Sequence, residues 1–364
     1  GRDFPVFLHP QNKEEYALAR TERKSGSGYH GFICDFSANV SLEEDLLRRD
    51  LTINAMAQDE NGHIVDPFRG QQDIRQRILR HVSPAFIEDP LRVLRVARFA
   101  ARFAYLGFMI ADETMQLMQT LSKNNELLSL SAERVWQETQ RALSEQNPEI
   151  FFQTLRNCGA LVKLMPELDA LFEIPKPDKH IPKISFGEHA LRSLRQAKSL
   201  SNSEPVSFAA LVHHLNNTIN DAPSSSRPHE HPANDMPPIE QLCSRLKTPT
   251  HYKNLALTAS ELHTNINQAF ELSAPSILQI FKRCDAFRQT QLFNNVLICC
   301  LADLRGQAGC EQKAYPQAEF LRAILEQTNK VDIAKLQTQG FTGRKLGEAI
   351  DDMRCQNISK AKQR

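Results

Sequence analysis

The apolar pattern of the chain changes period once, near Pro84, and that change bounds what it can fold into. Before it, short β-like runs alternate with turn residues: Phe4 to Leu8, Tyr16 to Thr21, Ile53 to Gln58 and His63 to Val65. Asn61-Gly62 joins the last two as a hairpin signal, because both residues accept the left-handed backbone of a tight turn. After it, Pro90 to Gly107, Ala111 to Leu121, Ala132 to Leu143 and Pro148 to Cys158 carry apolar residues at helical spacing. Gly107 and Gly159 are the expected stops. Strands first and helices afterwards predict an α+β fold, with an incomplete mixed sheet in the head followed by an all-helical neck, body and tail.

Two polar stretches interrupt the helical part. Pro175 to Pro182 reads as a linker or long loop, and residues 216–238, rich in Pro, Ser, Asn, Asp and His, read as a mobile loop. The expected divisions are residues 1–83 for the head, 84–145 for the neck, 146–182 for the body and linker, 183–306 for a further helical domain, and 307–364 for the tail. The longest apolar run, around Val296 to Ala302, falls far short of the roughly 20 residues of a membrane helix, so no membrane span is expected. Eight cysteines without a CxxC pair predict reduced thiols in a cytoplasmic chain. Lys and Arg number 44 against 43 Asp and Glu, a net charge of +1, which excludes a polycation and leaves the local arrangement of charge to be explained.

The densest charge pattern lies in one helix. Arg92, Arg95, Arg98 and Arg102 fall within a stripe of roughly 120° when residues advance by 100° each. Like charges on one face repel unless carboxylates or an anion stand opposite. Two readings are open: a solvated or salt-bridged face, or a phosphate-binding face. Asp89-Pro90 in front of the stripe suits an N-cap followed by a first-turn proline.

RRDLTINAM (48–56), DPFRGQQDI (66–74), EDPLRVLRVARFAAR (88–102) and ERVWQET (133–139), in this order and spacing, resemble the class II tRNA nucleotidyltransferases, the CCA-adding enzymes, in their longer bacterial form. The segments Phe4 to Pro10 and Tyr16 to Glu22 fit the palm of the same head. The resemblance is strong to about residue 175 and weaker to the end. It implies addition of CCA to tRNA 3′ ends from CTP and ATP, with Mg2+ as cofactor and the tRNA acceptor arm as partner. It implies that Asp89 and Arg92 select the base. Cytosine N4 and adenine N6 donate, which a carboxylate accepts; cytosine N3 and adenine N1 accept, which a guanidinium supplies. Uracil and guanine present the reverse pattern and would leave buried groups unpaired. Arg49, Arg95 and Arg98 are then expected on the triphosphate, and Glu133, Arg134 and Glu138 are expected to brace the selecting helix.

The sequence departs from the family pattern twice. The glycine-rich GGxVRD loop and the DxD metal carboxylates are absent from residues 1–364, so the chain reads as truncated at its N-terminus, with no catalytic carboxylate beyond an accessory role for Glu22, and as inactive by itself. Long bacterial members also carry a phosphohydrolase module with an H…HD…D metal set. Here His189 matches the first histidine, but the doublet is His213-His214, and Asp303 alone does not restore the set. No bound metal and no phosphohydrolase activity are therefore expected, and His229, Glu230 and His231 are read as a loop cluster. The rival readings are a non-catalytic tRNA-binding paralogue and a bacterial poly(A) polymerase.

Overall fold

The computed structural model describes residues 6–24, 32–35, 39–176, 184–218 and 236–363. The chain divides into two compact units, residues 1–169 and residues 170–364.

The first unit opens with two hairpins. β1 (Val6–Leu8) pairs antiparallel with β2 (Glu15–Ala17), and β3 (Thr21–Lys24) pairs antiparallel with β4 (Phe32–Asp35). α1 (Leu42–Leu47) follows behind a capping box in which the Ser41 hydroxyl accepts from the Glu44 N–H and the Glu44 carboxylate accepts from the Ser41 N–H. β5 (Ala57–Gln58) and β6 (Ile64–Val65) form the hairpin expected at Asn61-Gly62, where Gly62 has φ of 86°. α2 (Gly70–Gln76) starts where the Asp66 carboxylate accepts the N–H groups of Gly70 and Gln71. β7 (Ile78–Leu79) runs parallel to β8 (Met109–Ile110), and between them lies α3 (Leu91–Phe103). α4 (Asp112–Lys123), α5 (Ala132–Ser144), α6 (Pro148–Asn157) and the short α7 (Leu161–Leu164) complete the unit.

The α+β order holds, and two local expectations are corrected. Among the described residues the strands form four separate two-stranded pairs, three antiparallel and one parallel, instead of one mixed sheet. The expected strand from Ile53 to Gln58 begins instead as a 3-10 turn, Thr52–Asn54. Its polar side chains account for this: the Thr52 hydroxyl donates to Asp73 at 2.7 Å and the Asn54 amide to Asp50 at 3.0 Å, which bends the segment out of extension. The helices fall close to their expected limits. Val93, Leu94, Val96, Ala97 and Ala101 of α3 are buried, and Gly107 ends the run with φ of 80°.

After the short α8 (Pro166–Ala170), the second unit is helical: α9 (Phe186–Leu200), α10 (Glu204–Val212), α11 (Leu215–Thr218), α12 (Pro238–Leu246), α13 (Thr250–Asn267), α14 (Ala274–Arg283), α15 (Thr290–Gly306), α16 (Pro316–Thr328), α17 (Ile333–Thr338) and α18 (Gly343–Lys362). The loop expected over 216–238 is shorter at both ends, because α11 extends through Thr218 and α12 begins at Pro238. Its interior, including His229, Glu230 and His231, lies outside the described residues. α9 and α15 pack closely because small residues face each other. A Cβ placed on Gly306 would stand 2.6 Å from Ser193 Oγ and 2.9 Å from the Ser193 backbone nitrogen.

Gly306→Ala should therefore push α15 from α9 and destabilise the second unit by about 1–3 kcal/mol, the usual cost of overpacking. Denaturant unfolding checks this; an unchanged midpoint would contradict the close approach. In the first unit, Phe7 and Leu8 of β1 and Tyr16 of β2 are 63%, 58% and 56% exposed. A two-stranded ribbon with such a surface is marginal in water. Residues 1–364 purified alone should self-associate, and a monodisperse sample in sedimentation would contradict this.

Candidate functional site

The N-terminal turn of α3 gathers the residues singled out for nucleotide selection. The Asp89 carboxylate accepts the Leu91 N–H at 3.0 Å and faces Arg134 of α5 at 3.3 Å. Arg92, three residues on, donates from its two terminal nitrogens to the carbonyls of Ala85 at 2.8 Å and Arg48 at 2.5 Å. Two carbonyls on one planar guanidinium fix its plane as well as its position. Both groups of the expected base-reading pair thus stand on one helix start, each tied to a neighbouring segment.

The arginine stripe meets protein carboxylates along its length. Arg95 pairs with Asp50 at 2.7 Å, and Arg98 pairs with Glu138 of α5 at 2.7 Å and with Glu145 at 3.4 Å. Arg102 reaches Glu145 at 2.9 Å, while Arg141 adds a second cation to Glu138 at 3.1 Å. Arg98 is only 6% exposed and lies over the Phe99 ring at 4.6 Å. Of the two open readings of the stripe, the salt-bridged face describes Arg98 and Arg102. Arg95, with a third of its side chain exposed, and Arg49, which is more open and touches Asp45 at 3.3 Å, line the solvent side of the same region. Glu138 braces α3 directly, and Arg134 does so through Asp89. Asp50 and Glu145 are the partners that sequence reasoning missed. Asp50 follows the Arg48-Arg49 pair, and Glu145 lies one turn beyond Arg141, a signal legible only once α5 is known to lie alongside α3 in the same direction, with Arg134 beside Asp89 and Glu145 beside Arg102.

Asp50 is almost fully buried. Burial by itself would raise its pKa, but the Arg95 guanidinium and the hydrogen bonds from Asn54 and the Leu51 N–H hold it below the usual carboxylate range. Glu22, expected as an accessory carboxylate, lies on β3, opposite Cys34 of β4 in the register.

In the second unit the structure brings His189 of α9, His213 and His214 at the end of α10, and Asp303 of α15 into one buried cluster. The Nε2 atoms of His189, His214 and His213 lie 2.6, 2.9 and 3.3 Å from Asp303 Oδ1. His263 of α13, absent from the sequence reading, stacks edge-on against both His213 and His214 with centroids 5.4 Å away. Burial, reinforced by the neighbouring His213, lowers the pKa of His214 to about 3, with Asp303 opposing the shift. Asp303 is held well below the usual carboxylate range because the three histidine hydrogen bonds outweigh its burial. No described helix is long and apolar enough to cross a membrane.

A strand-poor head leading into a helix that carries an Asp–Arg pair, followed by helical segments, is the arrangement that the resemblance to nucleotidyltransferases with a polymerase-type head implies. Family models agree: residues 5–80 match the Poly A polymerase head domain, and residues 107–172 match the "Probable RNA and SrmB- binding site of polymerase A". The chain is 52% identical over its full length to the Multifunctional CCA protein of Hahella chejuensis, covering 86% of that protein, and 50% identical over its full length to that of Shewanella denitrificans, covering 88%. A solved CCA-adding enzyme of Bacillus stearothermophilus in complex with CTP superposes with a TM-score of 0.61 at 23% identity, over 99% of this chain and 78% of that one. The chain belongs to the multifunctional CCA proteins, the CCA-adding tRNA nucleotidyltransferases.

Removing one partner of the buried pair strands a charge, so Glu138→Ala should cost about 3–5 kcal/mol. Thermal melting checks this, and a loss under 1 kcal/mol would contradict the bracing. Because the folded pKa of Asp50 is depressed, its contribution is fully present above the unfolded value of about 3.9 and is lost as pH falls through the lower folded value. The acid unfolding of Asp50→Asn should accordingly be shallower than that of the parent below about pH 4; an identical acid limb would contradict the assignment.

Proposed function

We propose that Asp89 and Arg92 read the Watson–Crick edge of the incoming nucleotide and admit CTP and ATP while rejecting UTP and GTP. The observation that carries this reading is the placement of a carboxylate and an oriented guanidinium three residues apart at the start of one anchored helix. The carboxylate accepts from N4 of cytosine or N6 of adenine, and the guanidinium donates to N3 or N1. Uracil would set a carbonyl against the carboxylate and an N–H against the guanidinium, two clashes in one site. Arg49 and Arg95 are assigned to the triphosphate because their side chains reach solvent beside this turn, whereas Arg98 acts through the packing of α3 on α5. Arg134 is the counter-charge that Asp89 exchanges for the base.

The reaction of the family is CCA addition at tRNA 3′ ends, and the tRNA acceptor arm is assigned as the partner. The nucleotidyl step in this class draws on divalent ions such as Mg2+ held by carboxylates. Among the described residues the group with metal-ligand spacing is His189, His214 and Asp303, which is rich in nitrogen and belongs to the second unit. Such a set does not suit Mg2+, which prefers oxygen ligands. Selection and orientation of the nucleotide is the chemistry assigned to the described residues at the start of α3. The free thiols, among them Cys158, Cys243 and Cys299, fit a reducing cytoplasm.

Calorimetric titration of the chain with each nucleoside triphosphate tests the reading. CTP and ATP should bind at least 10–100-fold more tightly than UTP and GTP, roughly the cost of an unpaired buried polar group. Asp89→Ala and Arg92→Ala should each erase that preference, while Arg49→Ala should weaken all four alike. Preference retained in Asp89→Ala would overturn the selector. Binding of ATP alone would favour the poly(A) polymerase reading, and binding of RNA without any nucleotide would favour the non-catalytic paralogue.

A further inference from the structure

We propose that Asp45 is a positioning residue for base selection: by holding the Arg48 side chain it fixes the backbone carbonyl on which the Arg92 guanidinium is oriented. This role rests on the reading of Asp89 and Arg92 as the selector and names what aims one of them. Asp45 lies in α1, and Arg48 is the C-cap of that helix. A helix leaves the carbonyls of its last turn without intrahelical partners. The Arg48 carbonyl takes its partner from α3, where a terminal nitrogen of Arg92 donates to it at 2.5 Å. That carbonyl orients a guanidinium only as well as the end of α1 is itself held. With six residues, α1 is too short for helical cooperativity to hold its last turn.

The hold comes from side chains. Asp45 Oδ1 accepts from Arg48 Nη2 at 2.6 Å and from Arg48 Nε at 3.1 Å. The same oxygen accepts the Arg20 N–H at 3.2 Å, and Arg48 Nε also donates to the Arg20 carbonyl at 3.0 Å. Asp45, Arg48 and the Arg20 backbone thus close a ring of hydrogen bonds between the last turn of α1 and the segment entering β3, and Arg92 is tied to one member of that ring. A carboxylate suits the place, because an ionised oxygen takes the adjacent Nε and Nη2 of one guanidinium together. Its other oxygen, Oδ2, accepts from Arg49 at 3.3 Å. Asp45 is 6% exposed. Burial raises its pKa, but the Arg48 hydrogen bond and charge, the Arg20 N–H and Arg49 hold it below the usual carboxylate range, so the charged form is the one that works.

Selectivity separates this role from a general effect on charge or stability. The four nucleotides carry the same triphosphate, so removing the Asp45 charge changes their affinities alike and cancels from the ratio of CTP and ATP binding to UTP and GTP binding. Partial unfolding likewise lowers all four alike. Arg92 keeps its second anchor, the Ala85 carbonyl at 2.8 Å, so the ratio should fall without vanishing.

Calorimetric titration of the full chain with each triphosphate tests the role. Asp45→Ala should lower the ratio about 3–10-fold, the effect of one net hydrogen bond. Asp45→Asn, which keeps an acceptor, should fall between Asp45→Ala and the parent. Arg48→Ala, which removes the side chain and leaves the carbonyl, should match Asp45→Ala, and the double variant should be no worse than either because both break one link. Arg49→Ala should keep the ratio. If Asp45→Ala does not fold, Asp45→Asn and Arg48→Ala carry the same test. A parental ratio in the Asp45 and Arg48 variants, alongside its loss in Arg92→Ala, would overturn the positioning role and leave the selector standing. Additive losses in the double variant, or a ratio lost in Arg49→Ala, would also overturn it. A parent without preference, or a parental ratio in Arg92→Ala, would overturn the selector and this role together.

Discussion

The structure of the first unit depends on how α3 neutralises its own charge. Four arginines on one face make that helix unstable against any neutral surface, and the chain answers with carboxylates from three places: Asp50 before the helix, Glu138 on α5 and Glu145 beyond it. The Arg98–Glu138 pair is buried, and a buried pair is weak evidence for added stability, since well-packed apolar residues serve as well. Its use lies in geometry. Ion pairs have directions, so α3 is fixed in rotation against α5, and its first turn presents Asp89 and Arg92 in one orientation. The proposed selector, which would read hydrogen-bond patterns, needs such a fixed frame, because a shift of about 1 Å turns a matched pair into an unpaired group.

The second unit repeats this use of polar groups in a helical core. His189, His213, His214, His263 and Asp303 come from four helices, and Gly306 and Ser193 let two of those helices approach closely enough to bring them together. The polar cluster gives these helices a register that apolar packing alone leaves free. In both units a charged or nitrogen-rich group sits where the elements meet.

Helix positions after Pro84 were legible in the sequence because burial enforces the helical period: Val93, Val96, Ala97 and Ala100 could be read directly from α3. Asp89 and Arg92 were singled out by motif resemblance and chemistry together, and the fold sets both at the start of α3. The partners of the stripe were not, because Asp50 and Glu145 are separated from it by about forty residues and only packing brings them near. The strands were read less well. Thr52 and Asn54 follow a β-like pattern, yet their side chains hydrogen-bond to Asp73 and Asp50, a competition that propensity does not register. The doublet at His214 reads as a neutral side chain in place of a bridging carboxylate, and the fold sets its Nε2 2.9 Å from Asp303 Oδ1.

The central claim is that the start of α3 is a preformed template for the nucleobase, and a crystal structure of the chain soaked with CTP tests it most directly. The account predicts cytosine N4 at about 2.9 Å from the Asp89 carboxylate and N3 at a similar distance from the Arg92 guanidinium, with α3 unmoved. A base seated elsewhere, or one whose edge meets neither side chain, would contradict it.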